Sequence, residues 1–544
     1  MSSYSAHIDT FANDNLPSPE LWPELIFPLP ELQYPERLNC TVELVDRWVE
    51  RGHGEAPAIL SASGTVTYAQ LQKQVDQVAH VLTNDLGLVP GNRVLLRGAN
   101  NITLAVCWLA VVKAGLIAVA TMPLLRSKEL VDVIEKARVT TAICDKQLAS
   151  ELQMAQERAP ELQRVVYFND SSATGLEARM ATWSEPFRAV DTAAEDTALI
   201  AFTSGSTGKP KATMHFQRDL LAICDCFPKS IVGLEQDDIC IGTPPLAFTF
   251  GVGALLLFPL RVGAATVLLE RPTPASMLQA IQEYRATILW SSPLFFRQMA
   301  ALAAQLPLPT LRKCVSAGEA LPISTRTLWR EASGIDIIDG IGSTEMLHIF
   351  IAAAGSDIRP GATGKPVPGY QACILDEAGR QLPPGVVGRL AVKGPTGCRY
   401  LADERQRGYV HDGWNITGDA YVMDEDGYFW FQARTDDIIV TAGYNVASQE
   451  VENALLEHPA VAECGVVGVP DAERGTIIKA FVVLRADYTK DDGMVKTLQD
   501  FVKGSIAPYK YPRAIEFCER LPRADTGKLQ RYKLRLQEQR GTNV

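Results

Sequence analysis

Between residues 67 and 340 short apolar runs alternate with helix-patterned stretches, and this alternation leaves the chain few architectures. Residues 67–83 have amphipathic helical spacing, and residues 104–114 read as a helix that is apolar on all sides. Strands are expected at 93–96, 116–120, 142–144, 198–202, 266–269, 287–289, 313–316 and 336–338, with a helix at 217–227. Strand–helix alternation of this kind implies parallel sheets covered by helices. Near residue 370 the pattern changes to short strands at 372–375, 388–392 and 428–432, separated by Gly, Pro and Asp turns. That is the mark of an antiparallel or barrel-like part. After Asp437 a compact unit follows, with strands at 438–441, 464–469 and 479–484 and helices at 448–457, capped by Ser448, and 491–503. The expected fold is α/β. A large N-terminal domain of helix-covered sheets plus a small barrel-like part spans 1–435, and a small α+β C-terminal domain spans 436–544. A chain of 544 residues exceeds what one hydrophobic core organises, which agrees. Six prolines between Pro17 and Pro35 make the first segment an extended arm that lies along a surface.

Composition excludes several classes. A net charge of −11 argues against a nucleic-acid binder, although residues 503–540 carry 10 Lys/Arg against 4 Asp/Glu. Such a basic segment suits a polyphosphate partner, and it equally suits a solvated helical face. The eleven cysteines show neither a disulfide framework nor metal-ligand spacing, which fits a reducing compartment. The start has no signal-peptide pattern, and the apolar stretch 246–260 is too short to cross a bilayer. A cytoplasmic protein with no membrane or nucleic-acid partner is expected.

The chemistry starts at Thr203-Ser204-Gly205-Ser206-Thr207-Gly208-Lys209-Pro210-Lys211. Glycines let backbone N–H groups approach an anion, and hydroxyls and ammonium groups complete the cradle. A solvated turn is the competing reading. The loop is no Walker A motif, since two residues rather than four separate Gly205 from Gly208 and Pro210 follows Lys209. It resembles the phosphate-binding signature of the adenylate-forming superfamily, which includes acyl-CoA synthetases, peptide-synthetase adenylation domains and luciferases.

Other stretches extend that resemblance in order along the chain. Asp339-Gly340-Ile341-Gly342-Ser343-Thr344-Glu345 follows a strand, reads as a second glycine-bearing loop, and resembles an aromatic-Gly-x-Thr-Glu motif, with Ile341 in place of the aromatic that packs on adenine. Residues 339–350 resemble the benzoate-CoA ligase branch. Thr417-Gly418-Asp419 matches the family's Thr-Gly-Asp, whose aspartate accepts the ribose hydroxyls. Arg434-Thr435-Asp436-Asp437 matches the Arg-x-Asp-Asp junction, which implies that Arg434 backs the ribose and Asp436 is the hinge. Taken singly, these aspartates are equally well turn residues or surface ion pairs. Residues 522–528 resemble the last signature, ending in a catalytic lysine, Lys528, where an isolated lysine is ordinarily a solvated charge. Gly443-Tyr444-Asn445 resembles the loop lining the pantetheine channel, though glycine serves any turn.

The resemblance implies a mobile C-terminal lid, with ATP, Mg²⁺ and coenzyme A as cofactors and co-substrates. Lys528, Glu345 and Thr203 are the expected catalytic residues, and Glu345 is the expected metal ligand. ATP would be held by Thr203 to Lys209, by Gly318, Glu319 and Ala320, by Asp339, Gly340, Ile341 and Thr344, and by Asp419, Arg434 and Lys528. The acyl pocket would be walled by Ala247, Phe248, Thr249, Phe250 and Gly251, with Ser316, Ala317, Gly318, Gly342 and His348. Core packing explains the two phenylalanines equally well. A core histidine with its hydrogen bonds made is the simpler reading of His348, beside a role at an ortho substituent. The implied activity is that of an aryl-CoA ligase acting on benzoate or 2-aminobenzoate. Rival readings are a medium-chain fatty or short acyl-CoA synthetase, an enzyme loading a carrier protein, and a non-catalytic nucleotide-binding protein. The implied partners are small molecules, and a homodimer is left open.

Overall fold

The computed structural model describes residues 4–203, 210–434, 438–441, 444–471, 475–506, 510–523 and 529–541. Among these, a six-stranded sheet runs in the order Arg164–Phe168, Thr141–Asp145, Arg93–Arg97, Ile117–Thr121, Thr197–Thr203, Lys211–Phe216. A nine-stranded sheet runs Lys365–Pro366, Ile349–Ala352, Ile337–Gly342, Lys313–Ser316, Ile288–Ser291, Ile239–Gly242, Ala265–Val267, Pro57–Ser61, Gly64–Thr67. Both are parallel inside; the nine-stranded sheet is antiparallel at both edges, and the six-stranded one only where Lys211–Phe216 joins it.

Alternation along the strands explains the layering, because successive side chains leave a strand on opposite faces. Val94 and Leu96 enter a large central core while Leu95 enters a second one under the helices Ser127–Ala137 and Ala149–Arg158. Ile288 and Trp290 enter the same central core, and Leu289 enters a third one under Pro274–Glu283, Pro293–Ala303 and Ile323–Ser333. The central layer therefore joins both sheets, and the helix Ile102–Lys113 lies in it, buried from Leu104 onward. Its start is fixed by Asn101, whose side chain accepts from the Leu104 amide at 2.9 Å.

A five-stranded antiparallel sheet follows, built on Gly388–Lys393, Trp414–Met423 and Phe429–Arg434, as the barrel-like pattern predicts. The small C-terminal part pairs Ile438–Thr441 with Tyr444–Ala447 and joins Val461–Asp471, Gly475–Leu484 and Ala514–Phe517 in one sheet. Its helices Ser448–Leu456 and Asp492–Ser505 close over that sheet's core. Ser448 is not the cap: it already lies inside the helix, and Ala447 precedes it without a side-chain bond.

The proline-rich arm spans two parts of the protein. Asp9 pairs with Arg93, Phe11 packs between Arg93 and Arg138, and further on the Ile26 amide donates to the Gly394 carbonyl at 3.0 Å. Among the described residues no helix is long and apolar enough to cross a membrane. All eleven cysteines are free.

Candidate active site

Residues far apart in sequence meet in one cleft at the C-terminal ends of the strands Lys313–Ser316 and Ile337–Gly342. Gly318, Glu319, Ala320, Asp339, Gly340, Ile341, Gly342 and Asp419 all line it. Ligand clefts in open α/β sheets form at such strand ends. Gly318 has φ +93°, a left-handed turn that a side chain would strain, and it redirects the chain into the cleft. Asp339 to Gly342 differ from expectation. They continue the strand rather than forming a loop, because Gly340 and Ile341 pair with Ala352 and Ile351 on the edge strand. Asp419 likewise sits on a strand, Trp414–Met423, in register with the Arg434 backbone. A turn aspartate is thereby excluded.

Asp339 is buried with Oδ1 unpartnered among the described residues, and burial pushes its carboxyl up to about 7 against the weaker opposing pull of the Arg326 guanidinium. An orphaned buried acceptor at a cleft wall fits a hydrogen-bond donor on a ligand.

Three residues past Gly342 a second group forms. The Tyr400 hydroxyl donates to Oε1 of the buried Glu345 at 2.6 Å, and Lys211 Nζ donates to the Tyr400 oxygen at 3.3 Å. Burial pushes the Tyr400 hydroxyl far up, so it remains a donor. The Thr344 carbonyl accepts from His215 Nε2 at 2.8 Å, which fixes that ring's tautomer. Thr203 ends its strand opposite Lys211. The described strands on either side of residues 204–209 are therefore antiparallel partners, where the sequence had pointed only to a strand before that stretch and a helix after it. The added strand Lys211–Phe216 is held by the Tyr400 segment, with the Leu401 amide donating to the Ala212 carbonyl at 2.8 Å. Ser204, Gly205, Ser206, Thr207, Gly208, Lys209, Asp436, Gly443 and Lys528 lie outside the described residues, as do the side chains of Arg434, Tyr444 and Asn445.

Glu345 supplies one hard carboxylate to this corner. Among the described residues no cluster of three or more His, Cys, Asp or Glu is arranged for a metal. Mg²⁺ that arrives with a nucleotide takes one or two carboxylates and completes its shell with phosphate oxygens and water.

Behind Gly342 lies His348. A side chain at Gly342 would press within 2.6 Å of the His348 carbonyl oxygen, so glycine is required there. The imidazole is surrounded by Phe227, Phe250, Phe258 and Trp290, the nearest ring centroid being that of Phe258 at 4.4 Å. It is buried, and among the described residues no side chain partners either ring nitrogen; the polar group beside it is the Phe250 backbone. Burial brings its pKa down to about 3, an effect the nearby Phe250 backbone tempers without cancelling. Ser316 is also buried, its hydroxyl unpartnered among the described residues. Of the expected wall, Thr249 and Gly251 are buried at the start of a helix, and Gly251 has no room for a side chain against the Pro245 carbonyl.

Sequence reasoning missed Tyr400, Trp290, Phe227 and Phe258, and also Gly253, whose missing side chain leaves room for the imidazole. The spacing Gly251-Val252-Gly253 was the available signal.

Residues 45–400 match the AMP-binding enzyme family, and residues 450–528 match the AMP-binding enzyme C-terminal domain. The chain belongs to the AMP-binding enzymes. It is 35% identical to the benzoate–CoA ligase of Thauera aromatica over 515 residues, which is 93% of this chain and 97% of that relative. The crystal structure of the anthranilate CoA ligase AuaEII in complex with anthranoyl-AMP superposes with a TM-score of 0.90 at 32% identity, covering 95% of this chain and all of that one. A benzoate CoA ligase from Burkholderia xenovorans LB400 gives 0.84 at 31% identity, over 91% of this chain and 99% of that one.

Proposed function

We propose that the chain is an AMP-forming acid–thiol ligase that activates an aromatic carboxylate, benzoate or 2-aminobenzoate, with ATP and passes the acyl group to CoA. The observation that carries this reading is the single cleft onto which Gly318 to Ala320, Asp339 to Gly342 and Asp419 open, with Arg523 and Leu529 of the C-terminal part also on its wall.

In the first half-reaction a carboxylate oxygen of the acid attacks the α-phosphorus of ATP. The new O–P bond forms as the bond to the bridging oxygen breaks, giving an aryl adenylate and pyrophosphate. Asp419 accepts the ribose hydroxyls with Arg434 behind it, and Ile341 packs on the base. Thr203, Thr344 and the residues up to Lys209 hold the phosphates. Glu345 would hold Mg²⁺, whose chemistry is to offset phosphate charge. Lys528 places its ammonium between acid and phosphate, where preorganised charge lowers the barrier most. In the second half-reaction the CoA sulfur attacks the acyl carbon, the C–S bond forms, and AMP leaves with the former C–O electron pair. The C-terminal domain turns about Asp436 between the two steps and brings up Gly443, Tyr444 and Asn445, a hinge motion.

The aromatic side chains around His348 favour a flat ring over an alkyl chain. The neutral imidazole, with no side-chain partner among the described residues, suits a donor such as the amino group of 2-aminobenzoate. A cytoplasmic setting agrees with CoA as acceptor. Acid-dependent exchange of pyrophosphate into ATP across benzoates and fatty acids tests the reading, followed by thioester formation with free CoA. Failure with free CoA would favour a carrier protein as acceptor.

A further inference from the structure

Glu319 lies across from the C-terminal part and holds it at two points. Its Oε1 accepts from Arg523 Nη1 at 3.3 Å and from the Leu529 backbone N–H at 3.1 Å. Arg523 also reaches back to Glu463 within the C-terminal part, Nη2 donating at 2.8 Å. Arg523 and Leu529 pair with each other as an antiparallel bridge, and the Gln530 amide donates to the Pro522 carbonyl at 2.9 Å. Both flanks of residues 524–528 are therefore tied together and set on one carboxylate of the N-terminal part. Lys528 lies between those flanks in sequence.

We propose that Glu319 is a positioning residue that holds the Arg523–Leu529 flanks at the cleft for adenylation and must release them for thioester formation. This rests on the two-step reading above, because one arrangement of the C-terminal part serves the first step and another the second. The strength of the contact suits a latch. Arg523 and Glu319 meet by a single nitrogen–oxygen contact at 3.3 Å, and their side chains stay 23% and 24% exposed, so water can reach both when the pair parts. Charge alone does not define it, since the Leu529 amide needs an acceptor at that point whatever the state of Arg523.

Hydrogen exchange on the unliganded full chain reads the latch without any substrate. Glu319→Ala and Arg523→Gln should each speed exchange in peptides covering Leu529 and leave the Val461–Asp471 and Gly475–Leu484 strands unchanged. Glu319→Gln, which keeps an acceptor, should fall between Glu319→Ala and wild type. In turnover, Arg523→Gln should slow acid-dependent pyrophosphate exchange about threefold, and Glu319→Ala about tenfold. Conversion of supplied benzoyl adenylate and CoA to thioester should be no slower than wild type in Arg523→Gln. The double variant should be no worse than Glu319→Ala alone. Unchanged exchange at Leu529, or equal slowing of both half-reactions by Arg523→Gln, would overturn the proposal. A wild-type chain that uses octanoate and rejects benzoate overturns the aryl reading instead, and the exchange pattern still judges Glu319.

Discussion

The Tyr400 hydroxyl donates to Oε1 of Glu345 at 2.6 Å, both groups being buried. This bond connects the proposed metal carboxylate to the outer parts of the fold. The Tyr400 amide donates to Gln406 Oε1 at 2.9 Å, and Gln406 Nε2 donates to the Leu21 carbonyl of the N-terminal arm, also at 2.9 Å. Arm, Gln406, Tyr400 and Glu345 thus form one chain of contacts.

Tyr400→Phe keeps the ring and removes the donor. Glu345 then loses a short hydrogen bond, a change of about 1–3 kcal/mol for a buried charged acceptor. The expected outcome is a higher Mg²⁺ concentration for half-maximal pyrophosphate exchange, with unfolding midpoints only slightly lower. A variant with an unchanged Mg²⁺ dependence would show that Tyr400 packs without positioning.

His348 sets a pH dependence whose sign follows from its depressed pKa. The unfolded imidazole takes up a proton near 6.5, and the folded one only near 3. Between those values the unfolded state binds more protons, so this contribution to stability is full above pH 6.5 and is lost as the pH falls toward 3. His348→Phe should flatten that part of the stability profile in urea unfolding at pH 7 and pH 4.5. It should also erase any preference for 2-aminobenzoate over benzoate while leaving benzoate in use.

Asp339 works in the opposite sense. Its carboxyl is pushed up to about 7 by burial, from an ordinary value near 3.8. Between those values the folded state holds the extra proton, so stability is lost as pH rises from about 4 to about 7. Asp339→Asn should be more stable than wild type at pH 8 by roughly 1–4 kcal/mol and similar at pH 4. Equal differences at both pH values would contradict the assignment.

Lys528→Ala should cut acid-dependent pyrophosphate exchange by about 10²–10³, the cost of removing one preorganised charge from a transition state. Thioester formation from supplied aryl adenylate should survive. A retained exchange rate would remove Lys528 from the first half-reaction.

The layered fold was legible because its cause is local. The alternation of Val94, Leu95 and Leu96, and of Ile288, Leu289 and Trp290, is written in adjacent residues and needs no knowledge of partners. The cleft was legible where a motif concentrates several residues, as at Gly318 to Ala320 and Asp339 to Gly342. What escaped was tertiary. Tyr400 meets Glu345 from 55 positions away in sequence, and Glu319 meets Leu529 from 210 away. No periodicity carries such pairings. The strand character of Asp339 to Gly342 escaped too, because two glycines read as a loop when the Ile349–Ala352 partner is out of sight. The state of His348 was the least legible of all. Whether a buried ring finds partners depends on the four aromatic side chains around it, from Phe227, Phe250, Phe258 and Trp290.

The most direct test of the whole reading is pyrophosphate exchange into ATP, measured side by side with benzoate, 2-aminobenzoate and octanoate. Exchange that requires the acid and is faster with a benzoate than with octanoate is the predicted result. Faster exchange with octanoate than with every benzoate would contradict the aryl assignment.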